Sequence, residues 1–458
     1  MPRFRAPVAP APKSLSRRGF LGAALAGLPA AALRAQEKAP AAQASSPSPA
    51  EATKIKEFRT LGRTGVKVSD VSFGAGPLNN ANVLAAALDR GMNYIDTAEH
   101  YENGNSERTI GQVFKTRDRK SVFLTTKLNL TFNKKVSKTE IRERFMKSLE
   151  RMNTDHADCL MIHMCTLAQI KYEPYHELIG ELKAEGKVRF SGLSNHGADN
   201  SLNGHLDEPC EVVVQAAAED GRFDVVLTVF NFLKGEAGEK IFKACASKAM
   251  GLTLMKMNPG LTTAEEKMTL AGLRNRYKNQ NKEFPEALAK LAKITEDRGA
   301  ATEAFLKKYG LQGAEQTRAA AIKFCLDRPE VHCVCPSINS FGELDAYMEL
   351  SGTRFTARES AMLAEGREAF GDLNCRIGCT ECQAACPHGI PVNSIMRYEY
   401  YFRAQGREKA AMAEYAGLGA RNAAECADCH GPCQTACPHG VPIQGKLLLA
   451  HDKLIASW

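Results

Sequence analysis

The sequence predicts an α/β protein in which a large domain of alternating strands and helices precedes a small, mainly helical domain rich in cysteine. Between residues 57 and 355, short β-branched or apolar runs alternate with helical segments. Eight such strand–helix units occupy about 290 residues, which suits a (β/α)8 barrel. Eight of the 15 cysteines fall in two short runs within residues 365–458, and they mark the second domain.

The strands of the large domain are predicted from short apolar runs, and the helices from the longer segments between them. The predicted strands are Val68–Phe73, Tyr94–Asp96, Val122–Thr126, Cys159–His163, Val188–Leu193, Val225–Phe230, Leu252–Lys256 and Cys333–Pro336. Examples of the predicted helices are Asn105–Lys115, Lys138–Met152 and Pro174–Glu185. This alternation alone is compatible both with a closed barrel and with a doubly wound open sheet.

Several short motifs lie at predicted strand ends, in the order found in one enzyme family. They are Leu61–Ser69, Asn93–Tyr101, Asn105–Glu107, Thr125–Lys127, Leu160–His163 and Gly192–Asn195. In these motifs the sequence resembles the aldo-keto reductase family. The resemblance implies a (β/α)8, or TIM, barrel with its active site at the carboxyl ends of the strands.

The resemblance assigns a catalytic tetrad to Asp96, Tyr101, Lys127 and His163. Reduction of a carbonyl leaves an alkoxide that needs a proton, and a free tyrosine with a pKa near ~10 is a poor acid at neutral pH. We expect Lys127, held in place by Asp96, to lower the pKa of Tyr101. His163 would then hydrogen-bond and orient the substrate oxygen.

Four further residues are candidates for contact with a nicotinamide nucleotide. Ser194 and Asn195 resemble the family's pair that hydrogen-bonds the carboxamide, although Ser-Asn after a strand is also a common turn. Ser337 and Asn339 follow the eighth predicted strand, where the family contacts the adenosine end.

Two departures from the family weaken the expectation of tight NADPH binding. Leu227 stands where the sixth strand usually carries a glutamine that meets the nicotinamide. The stretch 336–343 contains no Lys or Arg for a 2′-phosphate, and its Glu343 would repel one. NAD(P) is therefore a candidate cofactor without a well-matched adenine site.

The two cysteine runs form an internal repeat, and each run ends in Cys-Pro-His-Gly. Spacings of two or three residues before Cys-Pro are typical of ferredoxins with two [4Fe–4S] clusters, in which the last cysteine of each run binds the other cluster. We therefore predict one cluster on Cys375, Cys379, Cys382 and Cys437. The second is predicted on Cys386, Cys426, Cys429 and Cys433. Zinc and disulfides are the alternatives.

The region 365–458 also resembles the C-terminal two-cluster extension carried by one branch of the aldo-keto reductases. The shared features include Met396-Arg397-Tyr398 and Glu414-Tyr415-Ala416 between the runs. We expect the aromatic residues of this stretch to pack the small domain.

Residues 1–36 are predicted to be an export signal. Arg17 and Arg18 precede a short apolar run that ends near Ala32, which resembles a twin-arginine signal. Residues 37–56 would then form a flexible linker. We expect a protein exported in the folded state to the periplasm or an equivalent location, and held at a membrane only if the signal is not cleaved.

The net charge supports no nucleic-acid partner. The formal charge is +8, but residues 1–36 contain six basic residues and no acidic one. Without them, 54 basic residues face 52 acidic residues, a balance of +2. The composition of the remaining chain therefore gives no reason to expect binding to nucleic acid or to a membrane surface.

The segment 258–320 is longer than a barrel crossover requires, and it is predicted to be a helical insertion. It would act either as a lid or docking surface or as a solvated decoration.

The leading functional hypothesis is an oxidoreductase that acts on a small carbonyl or alcohol. Its clusters would pass electrons to or from an external redox partner. The alternatives are an NAD(P)H-dependent carbonyl reductase with structural or sensing clusters, and a non-catalytic electron-transfer protein with a vestigial barrel.

Overall fold

The computed structural model describes residues 53–130, 136–197, 208–259, 264–311, 317–405 and 407–455. The predicted export signal, residues 1–36, and most of the predicted linker lie outside the described residues. None of the described helices is both long and apolar enough to cross a membrane.

The strands form a short hairpin followed by a barrel of eight parallel strands. Their bounds are β1 Phe58–Thr60, β2 Lys67–Ser69, β3 Phe73–Gly74, β4 Tyr94–Asp96, β5 Phe123–Leu128, β6 Ala157–Ile162, β7 Val188–Asn195, β8 Val225–Val229, β9 Gly251–Met255 and β10 Cys333–Val334. Strands β3 to β10 neighbour one another in chain order, and parallel bridges Val71–Val334 and Gly74–Ser337 join the two ends of the sheet. This closure confirms the predicted barrel and excludes the doubly wound sheet.

The predicted first strand, Val68–Phe73, is wrong in its bounds. Val68 and Ser69 belong to β2, which pairs antiparallel with β1, whereas Val71 bridges to Val334 and Phe73 begins the barrel strand β3. Leu61, in the hairpin turn, is fully buried and packs with Tyr94 and Phe123 at the starts of β4 and β5. The hairpin therefore covers the barrel at the end opposite the carboxyl ends of the strands.

Seventeen α-helices are assigned in the described part of the chain. They are α1 Ala81–Asp89, α2 Asn105–Val113, α3 Lys138–Arg151, α4 Leu167–Ile170, α5 Glu173–Ala184, α6 Cys210–Asp220, α7 Gly235–Ser247, α8 Ala264–Asn279, α9 Glu286–Asp297, α10 Gly299–Tyr309, α11 Thr317–Leu326, α12 Phe341–Met348, α13 Ala357–Phe370, α14 Val392–Ala404, α15 Glu408–Ala416, α16 Pro432–Thr435 and α17 Ile443–Leu454.

The helical insertion 258–320 is part of a packed core and not a solvated decoration. Leu270 on α8 and Leu291 on α9 are at most 1% exposed. They belong to the same apolar cluster as Ile395 on α14 and Leu447 on α17. The insertion therefore supplies part of the core of the small cysteine-rich domain.

The cysteine-rich region meets the barrel just after β7. Gly197 and Gly378 both have positive φ, and a Cβ on Gly197 would lie only 2.2 Å from Cα of Gly378. Two glycines are therefore needed for this close approach. Lys234, after β8, donates from Nζ to the carbonyl of Ile377 at 3.0 Å. These contacts hold the first cysteine run beside the carboxyl ends of the barrel strands.

Candidate active site and cysteine sets

A cavity of about 1000 Å³ lies at the carboxyl ends of the barrel strands. The barrel contributes Asp96 from β4, His163 after β6 and Ser337 after β10 to its wall. Helix α14 and the segment that leads into α15 contribute Tyr401 and Arg407. Both the barrel and the cysteine-rich region therefore enclose the place where barrel enzymes carry their active sites.

The four predicted tetrad residues lie together: Asp96, Tyr101 and His163 line the cavity, and Lys127 is buried next to Asp96 and Tyr101. Lys127 is fully buried and donates from Nζ to Oδ1 of Asp96 at 2.6 Å and to the carbonyl of Thr97 at 2.7 Å. The same ammonium lies 3.5 Å from the hydroxyl of Tyr101. The rings of Tyr101 and His163 meet edge to face, with their centroids 5.6 Å apart. Asp96 thus orients Lys127 towards the phenol.

The pKa of Tyr101 differs from the expectation. Burial raises it above its ordinary value, and Lys127 lowers it without fully offsetting the effect of burial. The phenol is therefore protonated at neutral pH, which suits a proton donor. The predicted influence of Lys127 has the right sign, but burial, which no sequence motif reveals, has the larger effect.

Three histidines line the cavity next to Tyr101. The rings of His100 and His163 stack with centroids 4.7 Å apart, and His196 lies 6.5 Å from His163 on another side. Burial, together with neighbouring cations and histidines, holds the pKa of His163 well below its usual value. Its imidazole is therefore neutral and able to donate a hydrogen bond to a substrate oxygen.

The residues predicted to contact a nucleotide fall into two groups. Ser337 and Asn339 line the cavity. Ser194 and Asn195 do not line it, and they are 1% exposed. Asn195 donates from Nδ2 to the carbonyl of Cys165 at 2.7 Å, and Oγ of Ser194 accepts from a backbone amide at 3.2 Å. Both side chains are therefore engaged inside the protein.

Several cavity residues were not found from the sequence. Lys256 follows β9, and Arg397 and Tyr401 lie on α14. Arg397 donates from Nη1 to Nδ1 of His196 at 2.8 Å. The stretch Met396–Tyr398 is recognisable as a motif in the sequence. Only the fold shows that Arg397 faces the barrel cavity and not the core of the small domain.

The eight cysteines of the repeat are gathered in two sets of four, and each set takes one member from the other run. The first set lines one small cavity and consists of Cys375, Cys379, Cys382 and Cys437. The second set consists of Cys386, Cys426, Cys429 and Cys433. Burial and, to a smaller extent, the three neighbouring thiols of its set raise the pKa of Cys426 to about 12. None of the eight forms a disulfide.

N–H groups point at some of these sulfurs. The backbone amide of Gly431 lies 3.4 Å from Sγ of Cys429, and Nδ2 of Asn393 lies 3.7 Å from Sγ of Cys375. Within the described ranges, no three His, Cys, Asp or Glu side chains converge closely enough to hold a single metal ion.

We expect acid to destabilise the protein through His163 and His196. Both are at most 6% exposed, and burial holds the pKa of each well below its usual value. The same histidines titrate near ~6.5 in the unfolded chain. Below that pH the unfolded state binds protons that the folded state does not, so stability that is present above it is lost as the pH falls.

The measurement is the melting temperature of the wild type and of His163→Gln between about pH 7 and about pH 5.5. The wild type should lose stability more steeply, because each buried neutral histidine contributes up to about 1.4 kcal/mol per pH unit. Equal slopes in the two proteins would contradict this assignment.

Comparisons with known proteins agree with the fold. Residues 77–368 match the Aldo/keto reductase family. The uncharacterized oxidoreductase YqkF of Bacillus subtilis is 32% identical over 149 residues, which cover 30% of this chain and 48% of the relative. The NADH-specific methylglyoxal reductase of Escherichia coli is 30% identical over 171 residues, which cover 31% of this chain and 52% of the relative. The chain thus spans about half the length of each of these two relatives.

A longer match and a solved structure extend the comparison. Aldo-keto reductase YhdN of Bacillus subtilis is 24% identical over 322 residues, which cover 65% of this chain and 89% of the relative. The holo form of an aldo-keto reductase from Bacillus halodurans has a TM-score of 0.49 at 21% identity. The match covers 69% of this chain and 96% of the Bacillus halodurans chain. With a family match across more than half of the sequence, a closed parallel barrel and the tetrad at its strand ends, the chain belongs to the aldo/keto reductase family.

Proposed function

We propose that this protein is an exported iron–sulfur oxidoreductase that interconverts a small carbonyl compound and its alcohol. Its electrons would pass through two [4Fe–4S] clusters, bound by the two cysteine sets, to or from an external redox partner. The observation that carries this proposal is a short series of contacts between Cys375 and Tyr101.

The cysteine sets suit polynuclear centres. A [4Fe–4S] cluster binds its thiolates at the corners of a cube, so its cysteines stand further apart than the ligands of one ion. The exchange of one cysteine between the runs and the N–H groups near the sulfurs support two such clusters. Zinc bound by four of these cysteines is the alternative, and the metal analysis described below distinguishes the two.

The contacts between the first set and the tetrad run along α14. Asn393, in the first turn, approaches Cys375, and Arg397 bonds His196 at 2.8 Å. Asn393 and Arg397 are four positions apart on the α-helix, a rise of about 6 Å. The ring of His196 lies 6.5 Å from that of His163, which in turn meets Tyr101. This compact series supports electron exchange between the first cluster and the cavity.

The barrel residues have separate tasks in carbonyl reduction. The substrate oxygen would accept hydrogen bonds from the hydroxyl of Tyr101 and from the neutral imidazole of His163. As negative charge develops on that oxygen, the phenol gives up its proton, and Lys127 stabilises the phenolate that remains. The reverse sequence, with Tyr101 as base, oxidises an alcohol. The cysteine sets would hold clusters that deliver the two electrons one at a time from the external donor, while Tyr101 supplies the proton on oxygen and water the proton on carbon.

A second candidate function is an NAD(P)H-dependent carbonyl reductase whose clusters serve structure or sensing. The size of the cavity and the presence of Ser337 and Asn339 in its wall favour it. One relative is named as an NADH-specific methylglyoxal reductase. Against it, the side chains of Ser194 and Asn195 are already engaged within the protein.

Export through the twin-arginine route forms part of the proposal and rests on residues 1–36, around Arg17 and Arg18. A route for folded proteins allows clusters to be assembled before export. The exported protein would meet its electron partner outside the cytoplasm, where no free pyridine-nucleotide pool exists. This setting favours electron supply through clusters over a dissociable nucleotide.

The test is anaerobic purification of the full chain, followed by analysis of iron, acid-labile sulfide, zinc and bound nucleotide. We expect about eight irons and about eight sulfides per chain, as two [4Fe–4S] clusters require. Nucleotide should be absent, and a panel of small carbonyls should include one that reoxidises the dithionite-reduced protein. An iron-free or zinc-loaded folded protein contradicts the proposal, and a stoichiometric nucleotide favours the second candidate.

A further inference from the structure

His196 is held in place by backbone contacts from two regions of the protein. It follows β7 directly, lines the cavity and is 6% exposed. The residues on either side of it are joined, because the amide of Gly197 donates to Oδ1 of Asn195 at 3.0 Å. A Cβ on Gly378, in the first cysteine run, would lie only 3.3 Å from the carbonyl oxygen of His196. The backbone of His196 is therefore fixed both by the barrel and by the cysteine-rich region.

The imidazole of His196 is oriented by Arg397 on α14. Nη1 of Arg397 donates to Nδ1 of His196 at 2.8 Å, and Arg397 is 1% exposed. A guanidinium has N–H donors but no acceptor, and it keeps its charge in proteins. Nδ1 of His196 must therefore be the acceptor in this bond, so a neutral ring carries its proton on Nε2.

The ring of His196 is neutral at physiological pH. Burial, with a smaller contribution from the charges of Lys256 and Arg397, holds the pKa of His196 well below its usual value. A neutral imidazole whose Nδ1 accepts has a single N–H left, at Nε2. His196 is thus prepared to donate a hydrogen bond, and Nε2 is the nitrogen that can meet a ligand in the cavity.

This donor lies close to the two groups that would hold the reacting oxygen. The ring centroids of His196 and His163 are 6.5 Å apart, and their planes are at 86°. The ring of His163 lies 5.6 Å from that of Tyr101, at 83°. All three side chains line the same cavity. A single small molecule can therefore reach all three.

We propose that His196 selects substrates that carry a second oxygen on the carbon next to the reacting carbonyl, and that its Nε2–H donates a hydrogen bond to that second oxygen. The proposal rests on the proposed function and names the substrate class of the same site. Oxygens on neighbouring carbons are joined by three bonds. With hydrogen bonds of about 2.9 Å, such a pair fits between donors on two rings whose centroids are 6.5 Å apart.

The cysteine-rich region thereby takes part in substrate selection, with Arg397 as a positioning residue that acts through His196. Without the bond from Arg397, the proton of His196 can occupy either ring nitrogen. A proton on Nδ1 would turn Nε2 into an acceptor, which repels a carbonyl or ether oxygen. The fixed tautomer is therefore what makes His196 selective for an oxygen that accepts a hydrogen bond.

The test is the binding of three small ketones to the anaerobically purified, oxidised holoprotein, measured by ligand-observed NMR titration. Hydroxyacetone and methoxyacetone carry a second oxygen next to the carbonyl. Butanone has a methyl group in place of the hydroxyl of hydroxyacetone and is the matched ligand. We expect each oxygenated ketone to bind about 3- to 10-fold more tightly than butanone, the effect of one hydrogen bond between neutral groups.

Methoxyacetone shows whether His196 donates or accepts, because an ether oxygen can accept a hydrogen bond but cannot donate one. Tighter binding of hydroxyacetone alone would show that the protein group is an acceptor, and this result overturns the proposal. Equal affinities of hydroxyacetone and butanone in the wild type also overturn it, without any variant, and leave the proposed function intact.

Variants are compared by the ratio of the hydroxyacetone and butanone affinities, because general damage to the fold weakens both ligands. His196→Leu and Arg397→Met should lose the preference for hydroxyacetone, a fall of about 3- to 10-fold in the ratio. His196→Gln keeps an acceptor and a donor, and Arg397→Lys keeps a charged donor, so both should retain it. A preference that survives in His196→Leu contradicts the assignment.

His332→Gln is the control for loss of a histidine elsewhere. Nδ1 of His332 accepts from the amide of Leu252 at 3.0 Å, outside the cavity, so this variant should keep the wild-type ratio. Iron content is measured on every sample. If no ketone binds to a protein that holds about eight irons, the carbonyl site is absent, and the proposed function fails together with this proposal.

Discussion

Replacement of Tyr101 by phenylalanine should reduce the rate of carbonyl reduction by about 10²- to 10⁴-fold, the usual contribution of a positioned proton donor. The hydroxyl lies 3.5 Å from Nζ of Lys127 and at the cavity wall beside His163. No other described phenol lies in hydrogen-bond contact with Lys127, so another residue could not easily take over the proton transfer. The measurement is single-turnover reduction of a carbonyl substrate by the dithionite-reduced protein.

The iron content of Tyr101→Phe should equal that of the wild type, because Tyr101 does not contact the cysteine sets. Tyr309→Phe, on α10 outside the cavity, controls for loss of a phenol elsewhere. Unchanged turnover in Tyr101→Phe would show that the barrel is not the site of reduction. In that case the third hypothesis, a vestigial barrel in an electron-transfer protein, would be the better one.

Replacement of Cys386 by serine should remove the cluster of the second run, although Cys386 belongs to the first. The structure groups it with Cys426, Cys429 and Cys433. We therefore expect Cys386→Ser to lower the iron content from about eight to about four per chain. The cluster on the first set, including Cys379, should remain.

The experiment compares Cys386→Ser with Cys429→Ser and Cys379→Ser by iron analysis and electron paramagnetic resonance of the reduced proteins. Cys386→Ser and Cys429→Ser should lose the same signal, and Cys379→Ser should lose the other. Cys245→Ser, a buried cysteine on α7, is the control and should lose neither. If Cys386→Ser instead resembles Cys379→Ser, each cluster is bound within its own run.

The cysteine variants also distinguish electron supply through the clusters from electron supply by a nicotinamide nucleotide. Loss of the first cluster should stop electron exchange with the cavity, because Asn393 and Arg397 connect that set to His196. Loss of the second should interrupt transfer to the external partner only if the clusters act in series. An NAD(P)H-dependent reductase would keep its turnover in both variants.

The barrel and the tetrad could be predicted from sequence because their signals are local. Strands appear as short apolar runs, and the motifs around Asp96, Lys127 and His163 stand at strand ends. In a parallel barrel, all carboxyl ends meet on one face, so these residues must come together once the fold is known. The bounds of the first strand could not be predicted, because a hairpin strand and a barrel strand carry the same apolar pattern.

Other features depend on contacts that no local pattern encodes. The sequence places Leu270 and Leu291 in a helical insertion. Only the packed structure shows that they form a core with residues of α14 and α17. Burial outweighs Lys127 at Tyr101, which reversed the expected direction of its pKa shift. The engagement of Asn195 with the carbonyl of Cys165 also follows from the path of the chain after β6 and β7.

The sequence by itself determined the alternation of strands and helices and the two cysteine runs, because hydrophobic periodicity and motif spacing are properties of neighbouring residues. The resemblance to the aldo-keto reductases then implied the closed barrel and the tetrad. Only the tertiary structure decided which residues enclose the cavity. Arg397 and His196 are 201 positions apart and bond at 2.8 Å. Contacts across such separations arise when two regions pack, and they bring α14 to the carboxyl ends of the barrel strands.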